Sequence, residues 1–188
     1  MTTIDPKHFE RLIELLEARP IEVYHERKNT GVGRSLPFGI INRRNYGLGR
    51  SRNNRRYAEH YKEMVKIADI ISPDVKYTSF MLNDNYSTPP HRDKNNDGTS
   101  CIVGFGDYTG GELNVEGKKY DIKYTPLHMD ASTQLHYTEP WSGKRYSFVM
   151  FRIKLNKTVS KKYGEWDFKM MNDALGDYED ADSNHKLD

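Results

Sequence analysis

Apolar side chains recur at helical spacing in two stretches near the start of the chain. Phe9, Leu12, Ile13 and Leu16 form one stripe, on a helix that Asp5 caps, Pro6 opens and Pro20 closes. Tyr57, Tyr61, Met64, Val65 and Ala68 form a second stripe over residues 57–71, which Ser72-Pro73 stops. A Gly- and Arg-rich connection separates the two. From residue 76 the pattern changes to short alternating or apolar runs at 77–82, 101–105, 113–115, 127–129, 134–137 and 146–153. Asp97-Gly98, Gly110-Gly111 and Ser142-Gly143 punctuate them, and residues 106–111 read as a hairpin turn built on glycine's tolerance of positive φ. Two helices followed by many short strands predict an α+β, mainly β chain, with a β-sandwich or barrel buttressed by helices on one side.

The expected organisation is a single domain over residues 1–175. It comprises a helical part at 1–75, a β core at 76–155 and a C-terminal helix or lid at 160–175. In that last segment Lys161, Lys162, Tyr163, Trp166 and Phe168 pack as a helix or cover a mouth. Residues 176–188 read as a disordered acidic tail.

Composition sharpens this picture. A hydrophobic fraction of 36% and a mean hydropathy of -0.88 are low for a globular chain, yet 12% aromatics exceed what disorder carries, so a folded core under a polar skin is expected. A length of 188 residues suffices for one core and a cleft. With Cys101 as the single cysteine, an intramolecular disulfide and a multi-cysteine zinc site are excluded, which fits a reducing compartment. No apolar run reaches membrane-spanning length and residues 1–6 lack the features of a secretion signal, so the expectation is a soluble cytoplasmic or nuclear protein that is not secreted.

The net charge of +2 hides a segregation: acidic residues gather in the tail, and Arg43, Arg44, Arg50, Arg52, Arg55 and Arg56 gather in one stretch without an acidic residue among them. Such a stretch offers guanidinium groups to phosphates, and Tyr46 offers a ring to stack on a base. If it flanks a cleft, it tracks a nucleic-acid backbone while an extruded base enters. The bland alternative is a solvated loop packed against Glu59 and Glu63.

Chemistry concentrates in the β region. His91-Arg92-Asp93 places two metal-ligand types two residues apart, on one face of an extended segment. His136, in the predicted strand 134–137, supplies the second imidazole of a 2-His-1-carboxylate triad. Three ligands on one face leave three coordination positions, suiting iron(II) with a bidentate 2-oxo acid and O2. A second His-x-Asp copy, His128-Met129-Asp130, lies only eight residues before His136 and has no later partner outside the tail, where His185 lies, so His128 reads as a packed strand residue. Nine residues beyond His136, strand alternation puts Arg145, Ser147, Val149 and Phe151 on one side. Arg145 can grip the distal carboxylate of 2-oxoglutarate bidentately while Ser147 adds a donor. Asn83, Asn85 and Tyr86 are further candidates to hydrogen-bond that cosubstrate, with turn and strand-end roles as the alternative.

The segments 90–93, 98–100, 106–113 and 143–147, together with Asp130 and His136, resemble the iron(II)/2-oxoglutarate-dependent dioxygenase superfamily. Within it the likeness is greatest to the TET/JBP-type nucleic-acid base hydroxylases and their phage and viral relatives. The resemblance covers roughly residues 77–153. It implies a double-stranded β-helix, or jelly roll, with the triad in its mouth, and hydroxylation of a C–H bond with release of succinate and CO2. Related halogenases leave the carboxylate position to halide, so Asp93 argues for hydroxylation. The foremost substrate reading is a nucleic-acid base of the 5-methylpyrimidine type, hence DNA modification. A protein side-chain (prolyl-type) or small-molecule hydroxylase is the alternative, because prolyl hydroxylases share a similar Gly-Gly-Glu-Leu turn. A non-catalytic binding module is the second.

Overall fold

The computed structural model describes residues 2–22, 31–43, 47–75 and 77–154. The expected lid, the acidic tail, Arg44 and Tyr46 lie outside the described residues. Helix α1 (Lys7–Ala18) begins as its sequence dictates: the Asp5 carboxylate accepts the Lys7 N–H at 3.1 Å, and Phe9, Leu12 and Leu16 are buried. Helix α3 (Ala58–Ile71) buries Met64, Ile67, Ala68 and Ile71, preceded by a single turn, α2 (Asn53–Arg56).

The connection expected between the helices instead contains two strands, β1 (Val32–Arg43) and β2 (Gly47–Arg50), paired antiparallel from Ile40 opposite Arg50. Leu36, Phe38 and Ile40 alternate into the core, a period-two signal that Gly33, Pro37 and Gly39 interrupt. Pro37 is tolerated because β2 does not extend alongside it, so the missing N–H leaves no bond unmade on that side.

The remaining strands are β3 (Ser79–Ser87), β4 (Ser100–Gly110), β5 (Leu113–Val115), β6 (Lys118–Tyr120), β7 (Leu127–Met129), β8 (His136–Thr138) and β9 (Trp141–Phe151). They form a six-stranded sheet in the order β2-β1-β3-β9-β4-β7 and a three-stranded sheet in the order β6-β5-β8, with antiparallel pairing throughout the named strands. The stretch 106–111, expected as a hairpin turn, is mostly the end of β4. Only Gly110 and Gly111 turn, at φ +76° and +70°.

β4 explains the layering. Cys101, Val103 and Phe105 join the core under the helices, where Phe9 stacks on Phe105 at 5.1 Å. Ile102 faces the other way, into a smaller cluster with Leu113, Val115, Ile122 and Leu127 between the two sheets. The large sheet is thus covered by helices on one face, and the sandwich interior opens as a cleft on the other. The chain is mainly β, as its patterning predicts, and no described helix is long and apolar enough to cross a membrane.

Candidate metal centre

His91 sits outside the named strands but pairs with His136 at the start of β8. The two residues exchange both backbone hydrogen bonds, at 3.0 Å each. In that register their rings stand side by side, with centroids 4.3 Å apart. Asp93, two residues on, is fixed by its N–H to the Ala131 carbonyl at 2.8 Å and by a turn in which its own carbonyl accepts the Asn96 N–H. One carboxylate oxygen lies 3.7 Å from His91 Nε2 and the other 3.8 Å from His136 Nε2. Those separations are too long for hydrogen bonds. The three groups present ligand atoms all within 4.8 Å of one another, the spacing one ion can span.

The tautomers suit a cation. His91 Nδ1 donates to the Pro89 carbonyl at 2.8 Å and His136 Nδ1 to the Gln134 carbonyl at 2.9 Å, so each Nε2 presents a lone pair to the shared centre. Burial holds the His136 pKa below its ordinary value, and the bond to Gln134 only partly offsets it, so the imidazole is neutral near pH 7.

The centre opens into a cavity of about 630 Å³ between the sheets. Asn83, Tyr86 and Ser147 line it, as do Ser35, Met81 and Val149 from the same sheet face. Asn85 does not line it. Asn85 adopts a left-handed conformation, φ 47°, at a bulge against β1, and its Oδ1 accepts the Arg145 backbone N–H at 2.9 Å. The bulge lets Tyr86 face the cavity after Met81 and Asn83.

Arg145 is 1% exposed, so it is not at the open end of its strand. Its Nε donates to the Gly111 carbonyl at 3.3 Å, and its guanidinium lies over the rings of Trp141 and Tyr108. A Cβ on Gly111 would come within 2.9 Å of the Arg145 side chain, so glycine makes the room. One terminal nitrogen of Arg145 has no hydrogen-bond partner, and neither has the buried Tyr108 hydroxyl. Burial lowers the Arg145 pKa and pushes the Tyr108 phenol up to about 12, the guanidinium opposing the latter. Arg145 is not itself part of the cavity lining; Ser147, the next residue on its face, is. A buried guanidinium with one nitrogen left unpartnered, two residues from a lining hydroxyl, is a donor set that an anion would complete. Tyr108 and Ser35 were not legible as site residues, because nothing local in sequence marks them.

The second His-x-Asp copy does not converge. His128 is on β7 opposite Cys101, exposed where sequence reading expected it packed, and its Nε2 meets the Ser72 hydroxyl. Asp130 Oδ1 instead accepts the Ser132 N–H and hydroxyl in its own turn. In the basic stretch, Asn42 lines the cavity, and Ile40, the register partner of Arg50, lines it too. Arg52 and Arg55 are exposed, while Arg56 bonds Glu22 at 2.5 Å and lies over Tyr57. The side chain of Arg43 lies outside the described residues.

No family model matches the chain, and no curated protein matches it by sequence. Solved structures do match. NgTET1 in complex with 5mC DNA superposes with a TM-score of 0.56 at 14% identity, covering 79% of this chain and 67% of that one. OsALKBH1 gives 0.50 at 9%, covering 78% and 94%. A Pseudomonas putida prolyl-4-hydroxylase gives 0.49 at 11%, covering 81% and 89%. The chain thus shares the fold of NgTET1 and OsALKBH1, a mainly antiparallel jelly roll.

Proposed function

We propose that this chain is an iron(II)- and 2-oxoglutarate-dependent dioxygenase that hydroxylates a C–H bond, with a nucleic-acid base of the 5-methylpyrimidine type as substrate. The observation that carries the chemistry is the convergence of His91, Asp93 and His136 on one point at the cavity wall. Two imidazoles and one carboxylate form the donor set of a non-haem iron(II) site. Bound there, iron(II) with 2-oxoglutarate and O2 supplies the oxidant for hydroxylation, with succinate and CO2 released.

The chain's own residues do the rest. Carbonyls of Pro89 and Gln134 hold the imidazoles in one tautomer. Arg145 offers a desolvated positive charge to the cosubstrate's distal carboxylate, and Ser147 a hydroxyl beside it. Met81, Ile102, Val149 and Phe151 give the cavity an apolar wall that limits water around the reacting carbon.

The substrate reading rests on the basic stretch. The end of β1, at Asn42, borders the cavity just before the cluster of arginines begins, so a nucleic-acid backbone held there would bring a flipped base toward the metal. NgTET1, which shares the fold, is described with 5mC DNA bound. Anaerobic loading with iron(II) and 2-oxoglutarate, followed by O2 and methylated DNA, RNA or peptide libraries, tests both levels. Iron-dependent succinate release is expected, with a mass gain of one oxygen on a methylated base. Oxygen gained only by peptide would redirect the substrate assignment, and an inability to bind iron would remove the enzymatic one.

A further inference from the structure

Three strands of the large sheet carry a row of polar side chains across the cavity face. Ser35 on β1 is in register with Asn83 on β3, and Asn83 with Ser147 on β9. All three line the cavity, yet each is less than 9% exposed. The Ser35 hydroxyl donates to Asn83 Oδ1 at 2.6 Å, and Asn83 Nδ2 donates to Ser147 Oγ at 3.0 Å. The two lengths fix the direction of the chain: 2.6 Å belongs to O–H···O and 3.0 Å to N–H···O, so the amide nitrogen faces Ser147 and not Ser35.

A hydroxyl whose oxygen already accepts from an amide has its own proton left to give. The next place in the row, opposite Ser147 on β4, is Gly104, which has no side chain to receive it. Over Gly104 stands the Tyr108 hydroxyl, and near it the Arg145 guanidinium, both with buried polar atoms lacking partners. The row therefore ends in three groups that can each donate a proton, a phenol, a serine hydroxyl and a guanidinium nitrogen, with no anion among them. That is the complement of a carboxylate.

We infer that Ser35 and Asn83 are positioning residues that fix the Ser147 hydroxyl as a donor toward the distal carboxylate of the oxo-acid cosubstrate, an assignment that rests on the reading of the cleft given above. Asn83 itself does not touch the cosubstrate. It works by holding its amide one way round, and Ser35 holds it there.

Asn83→Asp separates this role from simple packing. The isosteric carboxylate accepts from both serines, turning the Ser147 proton back toward β3 and adding a negative charge behind the anion's site. With zinc(II) as a redox-silent stand-in for iron, thermal melts of the full chain titrated with 2-oxoglutarate read cosubstrate affinity without turnover. The expected result is at least a ~10-fold weaker affinity for 2-oxoglutarate in Asn83→Asp, with zinc binding as in the unmodified chain. Ser35→Ala weakens it about 5-fold and Ser35→Thr, which restores the hydroxyl, returns it to within about 2-fold. Unchanged 2-oxoglutarate affinity in Asn83→Asp overturns the positioning role and leaves the cleft assignment standing. If the unmodified chain binds zinc but is not stabilised by 2-oxoglutarate, the cleft assignment falls and this one with it. Should Asn83→Asp not fold, the Ser35 pair decides, and equal affinities for Ala and Thr overturn the role.

Discussion

His91 and His136 donate backbone N–H groups to each other's carbonyls, both at 3.0 Å, and this single bridge sets two of the three candidate metal ligands side by side. A one-residue slip there would turn one imidazole to the opposite face. The candidate metal centre is therefore a property of strand register as much as of residue type. Asp93 joins it because its own N–H is pinned to Ala131.

Removal of a ligand should be far more damaging to metal binding than to folding. Asp93 is 37% exposed at its side chain and makes no hydrogen bond through it among those described, so Asp93→Ala should fold normally. Its affinity for manganese(II) or iron(II) should fall by at least ~100-fold, because second-shell changes alone cost ~10–100-fold. Calorimetric titration of the metal measures this. Retained affinity would mean the ion sits elsewhere.

The pH dependence follows from His136. Its pKa is depressed in the folded chain, so the unfolded chain binds the proton more readily, starting near the ordinary value of about 6.5. The stabilising contribution of the neutral imidazole is fully present above that value, and it is lost as pH falls through 6.5 toward the lowered folded pKa. Metal-free melts should show Tm dropping below about pH 6.5. His60 and His128 are shifted in the same direction, also by burial, so the comparison must be with His136→Asn, whose Tm should fall less steeply. Parallel curves for the two proteins would remove His136 as the source.

Arg145 should display a split between stability and binding. Its charge is buried with one nitrogen unpartnered, a cost that Arg145→Met removes while keeping much of the packing between Trp141 and Tyr108. The metal-loaded Arg145→Met chain should melt no lower than its parent, within roughly 1 kcal/mol, and should lose its stabilisation by 2-oxoglutarate. A large drop in Tm with 2-oxoglutarate binding intact would assign Arg145 to the core.

Much of this arrangement is legible in the residues themselves. The apolar stripes of α1 and α3 identify the helical buttress because a helix bound to a sheet must repeat every three to four residues. His91, Asp93 and His136 stand out because few pairings of ligand types fit one face of a strand. By contrast, the β1–β2 hairpin is hidden by the glycines and proline within it, which read locally as loop while Leu36 and Phe38 are held in register by β3 and Ile40 by β2. Ser35 and Tyr108 are hidden for a related reason. Their partners, Asn83 and Arg145, are 48 and 37 residues away, and only strand order brings them together. Asn85 is chemically suited to a ligand, yet the bulge at its own backbone spends its amide on the Arg145 N–H.

The substrate assignment makes its own demand on Arg50 and Arg52. Both belong to the stretch that starts beside the cavity wall at Asn42, and both interact with other groups of the chain. If they also neutralise phosphates, each contact releases counterions, so binding of a methylated oligonucleotide should weaken steeply with salt. Replacing Arg50 and Arg52 together by Ala should then weaken binding about 10-fold at moderate salt and flatten the slope of log affinity against log salt by roughly 1–2. Turnover of 2-oxoglutarate without substrate should be unaltered by loss of a contact made only to phosphate. Fluorescence anisotropy across a salt series distinguishes the outcomes: an unchanged slope assigns these arginines to the protein's own surface and returns the substrate to the peptide or small-molecule class.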